Sequence, residues 1–258
     1  MTKKTRMGIY ILSLTALFVA VFSYAVYAAP ATIPVPKVSL SVDGSSNPTD
    51  YVNNIKLLLL LTALTLLPSI LMMVTSFTRI IVSFSFLKNA LGTTQAIPNQ
   101  VLIGLAFFLT IFIMRPVYDK INTDAVKPYL NNKITQQQAI DRGSAPLRDF
   151  MYKQTYRKDL DLFTGLAKIK KGTKIKDVPL YVVIPAFAIS ELKTAFEIGF
   201  LLYIPFIIID LVVSSVLMSM GMFMLPPAMI SLPFKLLLFV MVDGWYLMVK
   251  VLVEGFAR

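Results

Sequence analysis

Ionisable residues interrupt the most apolar stretch of this chain, Pro185 to Trp245. Among them are Glu197, Asp210, Lys235 and Asp243. A charged side chain inside a membrane-length apolar region is costly, so it usually faces protein or water and marks a pathway or an assembly contact. These charges therefore favour a packed, oligomeric membrane protein over a lipid-anchored enzyme.

The spacing of these charges decides which of them can pair. Lys193 and Glu197 are four residues apart and share one helix face, so they can form an ion pair. Lys235 and Asp243 are eight residues apart and share a broad face of one helix.

Asp210 and Lys235 lie on opposite arms of the hairpin predicted around Pro226-Pro227. Asp210 is 16 residues before that pair and Lys235 eight residues after it. At such unequal depths we do not expect them to pair within one chain, and we expect each to meet a partner from another subunit. The alternative is a single-chain bundle with water-filled crevices.

Residues that many enzymes use are missing from the sequence, which has no Cys and no His. This excludes thiol nucleophiles, disulfides, zinc sites of the Cys/His type and imidazole acid–base chemistry. The sequence also has no GxxxxGK or GxSxG motif and no metal cluster. Asp159 and Asp161 are close, but residues two apart on a helix point to different faces. The sequence predicts no enzyme, no metal site and no cofactor.

The composition is that of a membrane protein. The 258 residues are 56% hydrophobic and 15% charged, whereas soluble domains are about 45–50% apolar and about 25% charged. Fifteen of the 25 Lys and Arg residues lie between Arg115 and Lys193, mixed with eight Asp and Glu residues. Aromatic residues do not alternate with them as in a nucleic-acid platform. The net charge of +11 therefore indicates a solvated polar segment and no nucleic-acid partner.

The N-terminus has the three parts of a secretory signal peptide. Three basic residues precede the apolar run Ile9–Phe22, and small or medium residues follow at 26–28. We predict cleavage between Ala28 and Ala29, with an uncleaved anchor as the alternative. The Pro-, Gly- and Ser-containing residues 29–52 are predicted to be a disordered linker.

The rest of the chain divides into three predicted regions. Residues 53–117 form a first hydrophobic helical hairpin, in which Leu57–Phe77 carries Pro68 and Val101–Met114 is short for a span. Residues 118–184 form a polar helical region, in which Thr135 is a helix N-cap with Gln138 three residues later. A cleaved signal would place this region outside the cell and the stretch from Arg79 to Lys88 on the cytoplasmic side.

Residues 185–258 form a second hydrophobic hairpin with a Met-rich tip. Met218, Met220, Met222 and Met224 precede Pro226-Pro227, with Phe223 among them. Met adapts to irregular shapes, and its position at a hairpin tip favours a functional surface over ordinary core filling.

The segments that bear these charges resemble the FliP family of flagellar type III secretion export-gate proteins, which has injectisome relatives. The resemblance spans residues 53–256. It is carried by long, specific segments: Pro185–Phe200 (PAFAISELKTAFEIGF), Pro205–Val212, Leu232–Leu236, Val242–Trp245, Thr75–Ile80, Asn89–Gly92 and Pro98–Leu102.

The resemblance implies an all-α membrane protein of two long helical hairpins with an intervening polar helical region. It implies that several copies assemble with FliQ and FliR homologues into a helical multi-subunit cone. The cone would work with FlhA and FlhB homologues in the flagellar basal body, in the bacterial cytoplasmic membrane. Its cargo would be unfolded flagellar subunits passing outward.

The resemblance also implies roles for particular residues. Met222, Phe223 and Met224 match the family's methionine-rich pore gate, although Phe223 stands where Met is commoner. The charges expected to be buried on assembly are Glu191, Lys193, Glu197, Asp210, Lys235 and Asp243. Two alternatives stay open: an injectisome homologue, and a polytopic ion-coupled carrier.

Overall fold

The computed structural model describes residues 48–93, 97–170, 173 and 177–256, with side chains described from Ile55 onward. The chain divides into two units, residues 1–59 and 60–258, and the contacts reported below lie within the second. The predicted signal peptide and cleavage site lie outside the described residues. So does the predicted linker, except for residues 48–52, which begin the first helix.

Every regular element in these ranges is helical, as predicted. In chain order the helices are α1 (Pro48–Met73), α2 (Phe77–Ala90), α3 (Asn99–Ile121), α4 (Lys127–Leu130), α5 (Gln136–Gln154), α6 (Arg157–Leu166), α7 (Leu180–Ser219), α8 (Pro227–Met241) and α9 (Gly244–Phe256). A π-helical turn, Asn122–Val126, joins α3 to α4.

Three described stretches are long and apolar enough to cross a membrane: Ile55–Met73, Asn99–Leu130 and Leu180–Ser219. Helices α8 and α9 reach the required length only together, and they are bent by 62°. The described residues therefore contain three candidate spans and a fourth that is broken.

Two local predictions can be checked directly. Gln138 N donates to Thr135 Oγ1 at 3.4 Å and Thr135 N donates to Gln138 Oε1 at 3.1 Å, which confirms the capping box. The segment Val101–Met114, predicted to be short for a span, lies inside a longer helix, because α3 runs from Asn99 to Ile121 with Pro116 inside it. The fixed φ of Pro suits a helix, and the lost hydrogen bond is tolerated in apolar spans where neighbouring groups compensate.

The main core lies on one face of α2. Phe77, Ile80, Phe84 and Leu87 recur at spacings of three and four residues and are buried, as on an amphipathic helix. They pack with Phe206, Phe239, Met248 and Leu252 from α7, α8 and α9. A second cluster joins the polar region to the start of α7 through Met151, Val183 and Phe187.

The second arm of the hydrophobic hairpin predicted over residues 185–258 is broken at Val242 and Asp243. Asp243 has a φ of +50°, a left-handed conformation that Asp adopts more readily than most residues. A Cβ on Gly244 would lie 2.1 Å from Cε2 of Phe239, so a larger residue there would displace the Phe239 ring. The prediction that Lys235 and Asp243 share a helix face is therefore wrong. We call residues 242–244 the elbow.

Candidate functional site: two ion pairs and a methionine tip

The more buried of two interhelical ion pairs joins α2 to α7. Arg79 Nε donates to Glu191 Oε2 at 2.9 Å, and Arg79 Nη2 donates to Glu191 Oε1. The two side chains are only 4% and 0% exposed. Such a bidentate contact uses the planar fork of the guanidinium group. Because a lone buried charge is strongly destabilising, this pair fixes how α2 packs on α7.

Two more helices contribute to the surroundings of Arg79. Gln154 Oε1, on α5, accepts a hydrogen bond from Arg79 Nη2 at 3.0 Å, and Gln154 Nε2 donates to the Phe256 carbonyl at 3.4 Å. Arg79 Nη1 donates to the Gly255 carbonyl at 3.5 Å, and the guanidinium carbon lies 3.8 Å from the centre of the Phe256 ring. Helices α2, α5, α7 and α9 therefore meet at one charged group.

Sequence reasoning missed this role of Arg79 and placed it at the wrong end. The stretch from Arg79 to Lys88 was expected on the side opposite the polar region, yet Arg79 contacts Gln154 of that region. The Ala90 carbonyl, at the other end of α2, contacts Lys235. Residues 74–76 separate α1 from α2, so a new helix begins at Phe77.

Lys193 and Glu197 do not pair with each other in the structure, although their spacing allows it. The ammonium nitrogen of Lys193 lies 4.4 Å from the centre of the Tyr156 ring. The Tyr156 hydroxyl donates to Glu197 Oε2 at 3.2 Å. Tyr156 N also donates to Ser190 Oγ at 3.0 Å. Tyr156, at the junction between α5 and α6, therefore contacts the first half of α7 at these three residues.

The second interhelical ion pair joins α7 to α8. Lys235 Nζ lies 2.6 Å from Asp210 Oδ2 and donates to the Ala90 carbonyl at 3.2 Å. Ser231 Oγ donates to Asp210 Oδ1 at 2.5 Å. The side chains of Lys235 and Asp210 are 8% and 38% exposed.

This pair corrects the prediction that Asp210 and Lys235 do not pair within one chain. Depth was counted from Pro226-Pro227, but α7 ends at Ser219 and residues 220–226 form the connection. Counted from the helix ends, Asp210 lies nine residues before Ser219 and Lys235 eight residues after Pro227. The two side chains are therefore at nearly equal depth.

The six charged residues predicted to be buried on assembly differ in how far they are already buried in the single chain. Glu191 and Lys235 are buried and Asp210 is half-buried, whereas Lys193, Glu197 and Asp243 are exposed in the single chain. The exposed residues lie on faces of α7 and at the elbow that no described helix covers.

The methionine tip, residues 218–225, comprises the last two residues of α7 and most of the connection to α8, and it is exposed. Met222 is 40% exposed, Phe223 78% and Met224 97%. Gly221, with a φ of +75°, ends the helical run. The tip therefore presents large apolar side chains at the end of a 40-residue helix. On a membrane protein such a surface suits contact with other protein chains.

Comparison with known proteins places these features in a family. A model of the FliP family matches residues 60–252. The chain belongs to the FliP family. FliP of Bacillus subtilis (strain 168) is 55% identical over 217 residues, which cover 84% of this chain and 98% of that protein.

Other relatives are similarly close. FliP of Aquifex aeolicus (strain VF5) is 52% identical over 224 residues, covering 86% of this chain and 92% of that protein. FliP of Pectobacterium carotovorum subsp. carotovorum is 55% identical over 203 residues, covering 79% of each chain. All three carry the name flagellar biosynthetic protein. Both ion pairs and the methionine tip lie within the residues that the family model matches.

Proposed function

We propose that this chain is a core, pore-forming subunit of the flagellar type III protein export gate. It would pass unfolded flagellar subunits across the bacterial cytoplasmic membrane, within the flagellar basal body. The observation that carries the proposal is the family match over residues 60–252. At the coarser level, membership of the FliP family makes the chain a structural component of the flagellar export apparatus and not an enzyme.

The proposed working form is an assembly of several copies with FliQ and FliR homologues, next to FlhA and FlhB homologues. The large apolar surface supports this, since exposed side chains run along α7 from Phe196 through Phe200 and Ile208 to Val216. The exposed Lys193 and Glu197 interrupt the same surface, and lipid is a poor environment for such charges. Neighbouring subunits would cover this surface, and residues 1–28 would be removed before assembly.

The proposed gate is the ring of methionine tips from several copies. Met222, Phe223 and Met224 are exposed and apolar, and a narrow apolar constriction stops ions by excluding water. Met side chains adapt to irregular shapes and can close around a polypeptide. Phe223 is stiffer, so we expect it to support the seal while Met222 and Met224 deform.

Complementation tests the export role. A B. subtilis strain that lacks its own FliP is given this chain, because that FliP is 55% identical to it. We expect swimming to return and flagellin to reach the medium. A chain that inserts in the membrane at normal levels and restores neither would contradict the proposal.

Ion leakage tests the gate separately. The double variant Met222→Ala/Met224→Ala should export cargo but let ions through, measured as a lower membrane potential. The matched control is Met229→Ala/Met241→Ala, which changes the same residue type at exposed positions outside the tip. Leakage equal to that of the unchanged chain would rule out a sealing role for the tip.

A further inference from the structure

One face of α9 carries a line of polar side chains that begins at the elbow. Tyr246, Lys250 and Glu254 follow one another at spacings of four residues, which keeps them on one side of α9. Asp243, at the elbow, precedes them outside the helix. The exposed fraction is 60% for Tyr246 and 48% and 66% for the side chains of Lys250 and Glu254. We call these four residues the polar stripe.

The other faces of α9 are apolar. Gly244, Met248 and Leu252 are buried against the core, on the side opposite the polar stripe. Leu247 and Val251 line an apolar cavity of about 480 Å³ between α9 and α7. Helix α9 therefore separates an apolar surface from a charged one.

The two helices of the bent pair, α8 and α9, differ in whether their charged side chains are buried or exposed. Helix α8 has one charged residue, Lys235, which is 6% exposed and paired with Asp210. The charges of the polar stripe are exposed, and Lys250 and Glu254 are no closer than 4.0 Å. Within the described residues, the Asp243 carboxylate has no ion pair or hydrogen bond to a side chain. Charges presented in this way are costly in lipid.

We propose that the polar stripe borders water in the membrane-embedded protein, so that the chain leaves the apolar environment at the elbow. Helix α8 would lie in apolar surroundings, while α9 would have an aqueous space on its stripe side. The 13 residues of α9 extend only about 20 Å at 1.5 Å per residue, less than the roughly 30 Å of a bilayer core. The bent pair is then a re-entrant unit. The inference rests on the proposed function only for the membrane location.

Labelling with a thiol reagent tests this directly, because the chain has no Cys and every introduced Cys is the only thiol. Two neighbouring pairs give matched positions. Tyr246→Cys lies on the polar stripe, with Leu247→Cys beside it on the cavity side. Lys250→Cys and Val251→Cys repeat the comparison, at 48% exposure for the Lys250 side chain and 50% for Val251.

Opened membranes from cells that co-express the proposed partners are treated with a sulfonated maleimide that does not enter lipid. A lipid-soluble maleimide shows that each thiol can react. The maleimide reacts with the thiolate form of Cys, and apolar surroundings disfavour this charged form. We therefore expect the two stripe positions to be labelled at least about tenfold faster than their neighbours. Equal rates within both pairs, or stripe positions that react only with the lipid-soluble reagent, would overturn the inference.

Swimming of the same strains separates this inference from the proposed function. Unlabelled stripe positions in a swimming strain would overturn the water-facing stripe and leave the export role intact. Rapid stripe labelling in membranes of a strain that does not export would support the stripe and count against the export role.

Discussion

The two ion pairs lie along α7 and differ in how much of their side chains is exposed in the single chain. Arg79 and Glu191 are almost fully buried and are surrounded by Gln154 and the end of α9. Asp210 keeps 38% of its side chain exposed, and its helix continues to the exposed methionine tip. The first pair belongs to a closed core, whereas the second lies beside a surface that other chains can use.

Helix α2 connects the two pairs. Arg79 lies near its start and the Ala90 carbonyl, which contacts Lys235, is at its end. These residues are 11 apart, so α2 is a strut of about 16 Å between the two sites at 1.5 Å per residue. The length of α2 therefore sets the distance between the Arg79–Glu191 pair and the Asp210–Lys235 pair.

The largest expected effect comes from breaking the buried pair. Glu191→Gln leaves the Arg79 guanidinium buried without a counter-charge, which typically costs about 3–5 kcal/mol. We expect a large drop in the melting temperature of the detergent-purified protein, or very low levels in the membrane. Glu197→Gln is the control, because it makes the same change at an exposed position. Equal stability of the two variants would mean that the two sites do not differ as described.

A smaller effect is expected at the second pair. Asp210→Asn removes the charge that faces Lys235, but the Asn side chain is partly exposed and keeps an amide oxygen that can accept from the Lys235 ammonium, so we expect a loss of about 1–3 kcal/mol. Asp243→Asn makes the same change at an exposed residue and should leave the melting temperature nearly unchanged. A loss for Asp210→Asn as large as that for Glu191→Gln would contradict the contrast in exposure between the two pairs.

The smallest effect is expected where contacts are exposed. Tyr156→Phe removes the hydroxyl that bonds Glu197 but keeps the ring under Lys193, and exposed polar contacts contribute well under about 1 kcal/mol. Tyr181→Phe, at a residue that is 70% exposed, is the control in the same melting experiment. A clear loss for Tyr156→Phe alone would show that this junction matters as much as the buried pair.

Local features of the fold could be predicted from the sequence, because neighbouring residues determine them. The Thr135–Gln138 capping box and the end of α2 at the Leu91-Gly92-Thr93 turn both follow from residue types a few positions apart. The end of α3 could not be predicted, because Pro116 interrupts one hydrogen bond without ending the helix.

Contacts between distant parts of the chain were harder to predict. Arg79 and Glu191 are 112 residues apart, and no local pattern links them. Counting residues from Pro226-Pro227 gives Asp210 and Lys235 different depths in the hairpin. Counting from the ends of α7 and α8 gives them nearly the same depth. Lys193 and Glu197 have ideal spacing for a pair, but Tyr156 lies between them and takes both contacts.

Native mass spectrometry of this chain co-expressed with FliQ and FliR homologues tests the central claim most directly. The export-gate account predicts one discrete assembly that contains several copies of the chain together with both partners, each copy lacking residues 1–28. A monomer that keeps its full length and binds neither partner would contradict it.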